Sequence, residues 1–287
     1  MPLRRCAAER CGAKLVSAPA VLLVLALAAA FGSADAQAQR PRATGAPAGA
    51  PRAATQPARS ARAQAPYDLT GYWVSLVTQN WRYRMVVPMR GDYAGIPVDP
   101  RAKRFADAWH PAADIAAGKQ CEAYGAPSLM QVPERLHIGW QDEQTLRVET
   151  DAGMQTRLLH FGPAPSGAAS LAPSLQGYSS AHWQLFALTN TFGAPEPMAH
   201  APRYGSLVVV TDHLLPGLLR KNGVPYGADT RMTEYWQVQT LAPDQWLMIS
   251  TEVDDPEYLT DPYVYDSIFQ KEADGAQWHP GACSLSS

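Results

Sequence analysis

The sequence predicts an all-β domain: an antiparallel meander that closes into a barrel or curls strongly, with one short helix. Short stretches alternate between apolar and polar residues and are rich in β-branched and aromatic side chains, as in the run from Thr145 to Thr150. Turn-forming residues separate these stretches at 142–144, 151–153 and 243–244. A sheet of sequential strands also exposes two edges, which closure into a barrel removes. The predicted strands are 71–79, 82–88, 131–140, 145–150, 154–161, 177–188, 206–211, 232–241, 245–253 and 263–272.

The segment that begins at Asp99 carries the signals of the single helix. Asp99 is a typical N-cap residue, Pro100 suits the first helical position, and the His110-Pro111 pair ends a helix. Four apolar side chains fall on one face of this predicted helix: Ala102, Phe105, Ala106 and Trp109.

The N-terminus has the pattern of a secretory signal peptide. A basic start and an apolar run at 21–31 precede two overlapping Ala-x-Ala sites that end at Ala36 and Ala38. The apolar run is shorter than the roughly 20 residues that cross a bilayer as a helix. We therefore expect cleavage of residues 1–38, no transmembrane segment in what remains, and a periplasmic or secreted location.

The remaining chain divides into a linker and one domain. Residues 39–66 consist of Ala, Pro, Arg and small polar residues without an acidic side chain, which predicts a disordered linker. Residues 67–287 are long enough to bury a single β-rich core. This second part carries fifteen Lys and Arg against twenty-four Asp and Glu. Its acidic balance argues against a nucleic-acid partner, whose phosphates need a basic surface.

Two cysteines remain after signal cleavage, because Cys6 and Cys11 lie in the predicted signal peptide. In an oxidising compartment, Cys121 and Cys283 would most simply form one disulfide, and two free thiols are the alternative.

Two resemblances support a β-rich domain, and the first of them points to a barrel. The Gly71-Tyr72-Trp73 opening resembles the G-x-W of the first strand of lipocalins, whose Trp packs at the closed end of the barrel. The chain from Cys121 onward is similar to a large class of exported bacterial β-rich proteins that brings no established activity with it. The segments that carry this second resemblance are 121–127, 155–157, 177–183, 205–211, 233–235 and 254–262, which contain C-x-x-x-G-x-P, G-Y-S-x-x-x-W, G-x-L-x-V-x-T, T-E and D-D-P patterns. The resemblance implies an exported β-rich domain and transfers no catalytic residue.

Three residues are candidates for general acid–base chemistry: His213, His137 and Glu234. Asp212 precedes His213, but neighbouring residues on a strand face opposite ways, so we expect Asp212 to be poorly placed to orient the imidazole. The seven histidines lack metal-ligand spacing, and no cofactor motif is present, so we predict neither a metal nor a cofactor.

Aromatic and cationic side chains on the predicted strands and in the loop after Thr211 favour a ligand-binding barrel. Aromatic walls with a few polar anchors suit a small apolar or aromatic molecule. The sequence thus predicts a non-catalytic exported protein that binds such a ligand, and the alternative is a small-molecule hydrolase or isomerase that works in the same cavity. The predicted ligand-binding residues are Arg82, Arg157, Arg220, Trp140, Trp183 and Trp236.

Overall fold

Nine strands form a closed barrel in the computed structural model, which describes residues 59–132, 135–163, 170–186 and 204–285. The predicted signal peptide and the predicted linker up to residue 58 lie outside the described residues. The barrel strands are β1 (Gly71–Leu76), β2 (Arg135–Trp140), β3 (Thr145–Thr150), β4 (Thr156–Phe161), β5 (Tyr178–Phe186), β6 (Tyr204–Asp212), β9 (Arg231–Leu241), β10 (Asp244–Asp254) and β11 (Tyr263–Lys271). Neighbouring strands follow the order β1-β11-β10-β9-β6-β5-β4-β3-β2, and β2 pairs with β1 to close the ring. The all-β barrel prediction is confirmed.

The barrel differs from an all-antiparallel meander at one pair of strands. Strands β4 and β5 run parallel, with Leu159 opposite Ser179, whereas the other neighbouring barrel strands are antiparallel. The sequence could not show this pairing, because residues 162–177 connect the two strands and carry no strand pattern of their own.

Five short α-helices and a 3-10 helix accompany the barrel within the described ranges, where the sequence predicted one helix. Asp99 accepts a hydrogen bond from the Ala102 amide at 2.7 Å, so the predicted cap of α3 is confirmed. Of the apolar side chains placed on one face of this helix, Ala102 and Ala106 are buried, whereas Phe105 remains 44% exposed. The helices are α1 (Ala61–Gln64), α2 (Trp81–Arg84), α3 (Pro100–Ala108), α4 (Pro111–Ala116), η1 (Gln120–Tyr124) and α5 (Ala126–Leu129).

The predicted strand 82–88 is wrong, because β1 already pairs with β11 and with β2 and leaves no edge free. That segment instead contains α2 and an irregular stretch. Conversely, the loop after Asp212 contains a small two-stranded hairpin, β7 (Gly217–Arg220) and β8 (Val224–Tyr226), and Asn222-Gly223 lies between its strands.

Both ends of the barrel are covered. At the first end, where β1 begins, Tyr67 donates to the Trp236 carbonyl at 2.6 Å and Trp183 donates to the Ala61 carbonyl at 2.8 Å. Residues 59–66 of the predicted linker therefore include α1, which packs on this end. At the second end, where β1 finishes, α5 fills the opening, and Tyr265 donates to the Pro127 carbonyl at 3.1 Å.

A disulfide joins Cys121 in η1 to Cys283 near the C-terminus, so this prediction is confirmed. It fits an oxidising, extracellular or periplasmic environment. Among the described residues, no helix has both the length and the apolar character that crossing a membrane requires.

Candidate functional site

A buried ion pair occupies the barrel interior. Arg157 on β4 and Glu234 on β9 point inward and meet through two hydrogen bonds, of 3.0 Å from Nη1 and 2.6 Å from Nη2. Their side chains are 1% and 0% exposed. The Arg157 Nη2 group also donates to Thr211 at 3.2 Å, and Thr211 lies 2.8 Å from the Ser179 hydroxyl. The charges thus satisfy one another within the protein, as buried charges require.

Large side chains fill the rest of the lumen. Trp73, Trp236 and Phe269 are fully buried, and Trp73 donates to the Leu69 carbonyl at 2.9 Å. Burial, together with the nearby Glu234 carboxylate, raises the pKa of Tyr265 far above its ordinary value. The structure therefore places the predicted residues Arg157, Glu234 and Trp236 together in the barrel interior. There Arg157 and Glu234 form an ion pair and Trp236 is part of the core, and these residues line none of the cavities described for this structure.

The predicted residues Trp140 and Trp183 lie at the first end of the barrel, in an aromatic cluster around Phe161. The ring centroids of Trp140 and Phe161 are 5.5 Å apart, and those of Phe161 and Trp183 are 5.6 Å apart. Tyr67 meets Trp183 edge-on at 5.7 Å, and burial raises the pKa of Tyr67 to about 12. Because Trp183 is bonded to α1, this cluster closes the barrel beneath the N-terminal segment.

The largest cavity described is a groove of about 560 Å³ at the second end. Helices α3, α4 and η1 form one side, and the β7–β8 hairpin with the loop before it forms the other. We refer to this feature as the hairpin groove. Its volume lies in the range of small-molecule sites, roughly 300–1,000 Å³. Its apolar lining comprises Phe105, Trp109, Leu215, Leu218, Tyr226 and Tyr258.

Local contacts explain why the hairpin groove has this shape. Tyr226 packs so closely on the backbone that a Cβ added at Gly217 would lie 2.6 Å from its hydroxyl oxygen. Gly223 has a φ of 90° in the hairpin turn, where a Cβ would meet the Trp109 ring at 2.7 Å. The disulfide holds η1 at Cys121, which also lines the groove. The two glycines thus permit close packing against Tyr226 and Trp109, and the disulfide ties η1 to the C-terminal segment.

A few polar groups accompany the aromatic walls. Trp109 Nε1 donates to Asp114 at 2.5 Å, and Lys119 pairs with Glu122 at 3.3 Å. Burial and the nearby Glu122 carboxylate raise the pKa of Tyr226, so its phenol stays protonated. Its hydroxyl is buried and has no hydrogen-bond partner among the described residues. The groove floor therefore holds a neutral donor that is not satisfied by the protein.

The other two predicted arginines lie outside the lumen and outside the hairpin groove. Arg82 on α2 pairs with Asp92 at 3.2 Å and is 69% exposed. Arg220 on β7 donates to the Ala94 carbonyl at 3.0 Å and lies 4.7 Å over the Tyr83 ring. It lines a separate small cavity of about 70 Å³.

Both candidate histidines are oriented by carboxylates on the outer surface. His213 Nδ1 lies 2.6 Å from Asp212, so the expectation that Asp212 is poorly placed to orient the imidazole is wrong. His213 leaves the strand with a φ of 55°, which turns its ring back toward Asp212. His137 Nδ1 lies 3.0 Å from Glu149, its neighbour across the strands, and its ring stacks on Tyr72 at 4.4 Å between centroids.

His137 and His213 are partly exposed on the outside of the barrel, whereas Glu234 is fully buried inside it. The three candidates therefore do not form one site. The described part of the chain also holds no cluster of three or more His, Cys, Asp or Glu side chains suited to a metal ion. Asp255, which follows β10, accepts hydrogen bonds from the Gly227, Glu257 and Tyr258 amides.

Trp109, Tyr226 and Tyr258 line the hairpin groove but were not predicted from the sequence as a group. One signal was available: Leu218 to Arg220 and Val224 to Tyr226 flank Asn222-Gly223, a dipeptide typical of tight hairpins. The pairing of that hairpin with α3 and η1 has no local signal.

Comparison of the chain with models of known families, with curated proteins and with solved structures found no match. The candidate site therefore depends on the geometry alone.

Proposed function

We propose that this protein is an exported, non-catalytic binder of a small, largely apolar molecule with an aromatic ring, and that the hairpin groove is its binding site. The observation that carries the proposal is the groove of about 560 Å³ with walls formed by Phe105, Trp109 and Tyr258. Flat aromatic walls favour a planar ligand, because offset or edge-on ring contacts contribute beyond simple burial.

The filled lumen supports this choice of site over the barrel interior. Binding inside the barrel would displace fully buried side chains such as Trp236 and separate the Arg157–Glu234 pair, which would be strongly unfavourable. Binding in the groove requires no such change. The unsatisfied Tyr226 hydroxyl favours a ligand that brings a hydrogen-bond acceptor to the groove floor after a small side-chain rotation.

A fluorescence titration with N-phenyl-1-naphthylamine, a neutral aromatic probe, tests the proposal. Leu215 lines the groove and is 43% exposed, so Leu215→Trp fills the site without disturbing the core. Leu241 is 69% exposed on a distant hairpin, so Leu241→Trp is the matched control. We expect saturable binding by the native protein and the control, and loss of at least tenfold in affinity for Leu215→Trp. Equal affinities for the two variants would refute the groove as the site.

A second candidate function is general acid–base catalysis at His213. The specific observation in its favour is the 2.6 Å contact with Asp212, which fixes one imidazole nitrogen and leaves the other for a substrate proton. His213→Ala and Asp212→Asn should then reduce hydrolysis or isomerisation in a screen of small esters and ketones. Activity that persists in both variants would eliminate this candidate.

A further inference from the structure

An ordered surface segment exposes large apolar side chains. Within residues 81–90, which we call the apolar loop, Trp81 is 67% exposed, Met85 55%, Val86 62% and Met89 82%. Trp81 and Met85 lie one helical turn apart, and the Met85 amide donates to the Trp81 carbonyl at 2.9 Å. Clustered exposed apolar residues of this size mark interaction surfaces in soluble proteins.

Polar contacts hold the apolar loop against the domain from beneath. Arg84 Nε donates to the Gln131 carbonyl at 2.7 Å, and its Nη2 donates to Ser75 at 3.1 Å. Asn222 on the β7–β8 turn donates to the Met89 carbonyl at 3.1 Å. The Arg220 guanidinium covers the Tyr83 ring at 4.7 Å.

In a solvated loop, charged side chains usually point to solvent and apolar side chains toward the protein, and the apolar loop shows the opposite arrangement. The arginine side chain at 84 turns toward the protein, while the tryptophan and methionines turn toward solvent. Holding apolar side chains in water is unfavourable, and here the domain fixes their backbone with directed hydrogen bonds. A partner that covers this surface would remove these apolar side chains from water and so offset that unfavourable exposure.

The charge around the loop indicates the chemistry of that partner. Residues 81–104 carry six Lys and Arg against two Asp and Glu, whereas residues 67–287 as a whole carry fifteen against twenty-four. Arg82 and Arg90 lie within the loop itself, and Arg82 stays 69% exposed beside Asp92. A basic, apolar surface on an acidic domain complements an anionic, apolar partner.

We propose that the apolar loop docks on an anionic phospholipid bilayer, with Trp81 and Met89 entering the interfacial region and Arg82 and Arg90 beside the lipid phosphates. Tryptophan is enriched at the headgroup level of bilayers, and basic side chains near an anionic surface strengthen interfacial binding. A bilayer is favoured over a folded protein partner because the exposed residues are methionines and an amphipathic ring beside arginines. This inference is independent of the ligand proposed for the hairpin groove.

Vesicle flotation of the full chain tests the docking. The probes are vesicles of phosphatidylglycerol mixed with phosphatidylcholine and vesicles of phosphatidylcholine alone. The test variant is Trp81→Ser with Met89→Ser. The matched control is Leu241→Ser with Met154→Ser, which removes two apolar side chains that are 69% and 57% exposed on other hairpins. The arginine-rich segment before residue 67 is common to all these proteins, so any binding it contributes cancels in the comparison.

We expect the native protein and the control to float with the anionic vesicles, with binding that falls as salt is raised. The test variant should lose about tenfold or more in partitioning to the vesicles, because it lacks the two apolar side chains that would be buried in the bilayer. Brominated lipids should quench part of the native fluorescence, and Trp81→Phe should lose that part.

Equal flotation of test variant and control would overturn the proposal, as would absence of flotation by the native protein. Concentration-dependent dimerisation that the test variant abolishes, without vesicle binding, would assign the surface to a second copy of the chain and likewise overturn it.

Discussion

Replacing Glu234 by Gln should lower the free energy of unfolding of the barrel far more than the small change in side-chain shape suggests. The carboxylate is fully buried and accepts two hydrogen bonds from Arg157, at 3.0 and 2.6 Å. Gln keeps one acceptor oxygen and places an amide donor toward the guanidinium. The variant therefore leaves a positive charge inside the barrel with no countercharge.

The magnitude follows from the burial of both partners. Removing one partner of a buried pair costs about 3–5 kcal/mol in free energy of unfolding. For a domain of this length, 1 kcal/mol corresponds to roughly 2–4 °C in the thermal midpoint, so we expect a fall of about 6–20 °C. Arg157→Met combined with Glu234→Leu should recover most of the loss, because an apolar pair of similar volume is often neutral. Ser179 and Thr211 lie 2.8 Å apart in the native protein, so we expect them to keep their mutual hydrogen bond in that double variant.

Urea unfolding of the oxidised protein measures these differences by linear extrapolation. The control is Glu257→Gln, which removes an exposed partner of Arg101 in a pair with side chains 57% and 38% exposed. We expect that control to lose less than about 1 kcal/mol, as exposed pairs do. A Glu234→Gln variant as stable as this control would refute the reasoning, since the ion pair would then be solvated.

Three further outcomes are expected. Cys121→Ser with Cys283→Ser should lose about 2–5 kcal/mol in the free energy of unfolding, because the bond closes a loop with a sequence separation of 162; urea midpoints equal to those of the native protein would contradict this. Above pH 10 the native protein should lose stability. Burial raises the folded-state pKa of Tyr67 to about 12 and also raises that of Tyr265. In this pH range each phenol therefore keeps its proton in the folded protein and loses it in the unfolded chain. Tyr265→Phe should reduce that slope by about 1.4 kcal/mol per pH unit, and an unchanged slope in urea titrations at alkaline pH would exclude Tyr265 as a source. Mild proteolysis should stop near residue 59, because α1 is hydrogen-bonded to Trp183 and to Glu143 in the β2–β3 hairpin. Mass spectrometry of the trimmed chain measures where cleavage stops, and a stop at residue 66 would contradict this prediction.

Local patterns in the sequence were enough for most of the barrel. Strand β3 alternates between buried Leu146 and Val148 and exposed Arg147, and that period is visible in one window of sequence. The stretch 82–88 shows a similar pattern, yet its position outside the sheet depends on the pairing of β1 with both of its neighbours. Competition for sheet edges is a property of the whole chain, so one window could not exclude that strand.

The candidate site depended more on long-range geometry. The pairing of Arg157 with Glu234 was accessible from sequence, because both lie at inward positions of predicted strands. The contact of His213 with Asp212 was not, since it requires one backbone angle in the left-handed region. The hairpin groove was also inaccessible, because its walls come from segments before β2 and after β6 that no local rule brings together.

The parallel pair β4–β5 has a consequence of parity. Around any closed ring of strands, direction must reverse an even number of times, so nine strands require an odd number of parallel neighbours. Deleting or adding a whole hairpin changes the strand count by two and leaves that requirement in place. Only the gain or loss of a single strand would remove it. Strands β4 and β5 lie next to each other in the ring and run parallel, so a tenth strand inserted between them would allow an all-antiparallel barrel.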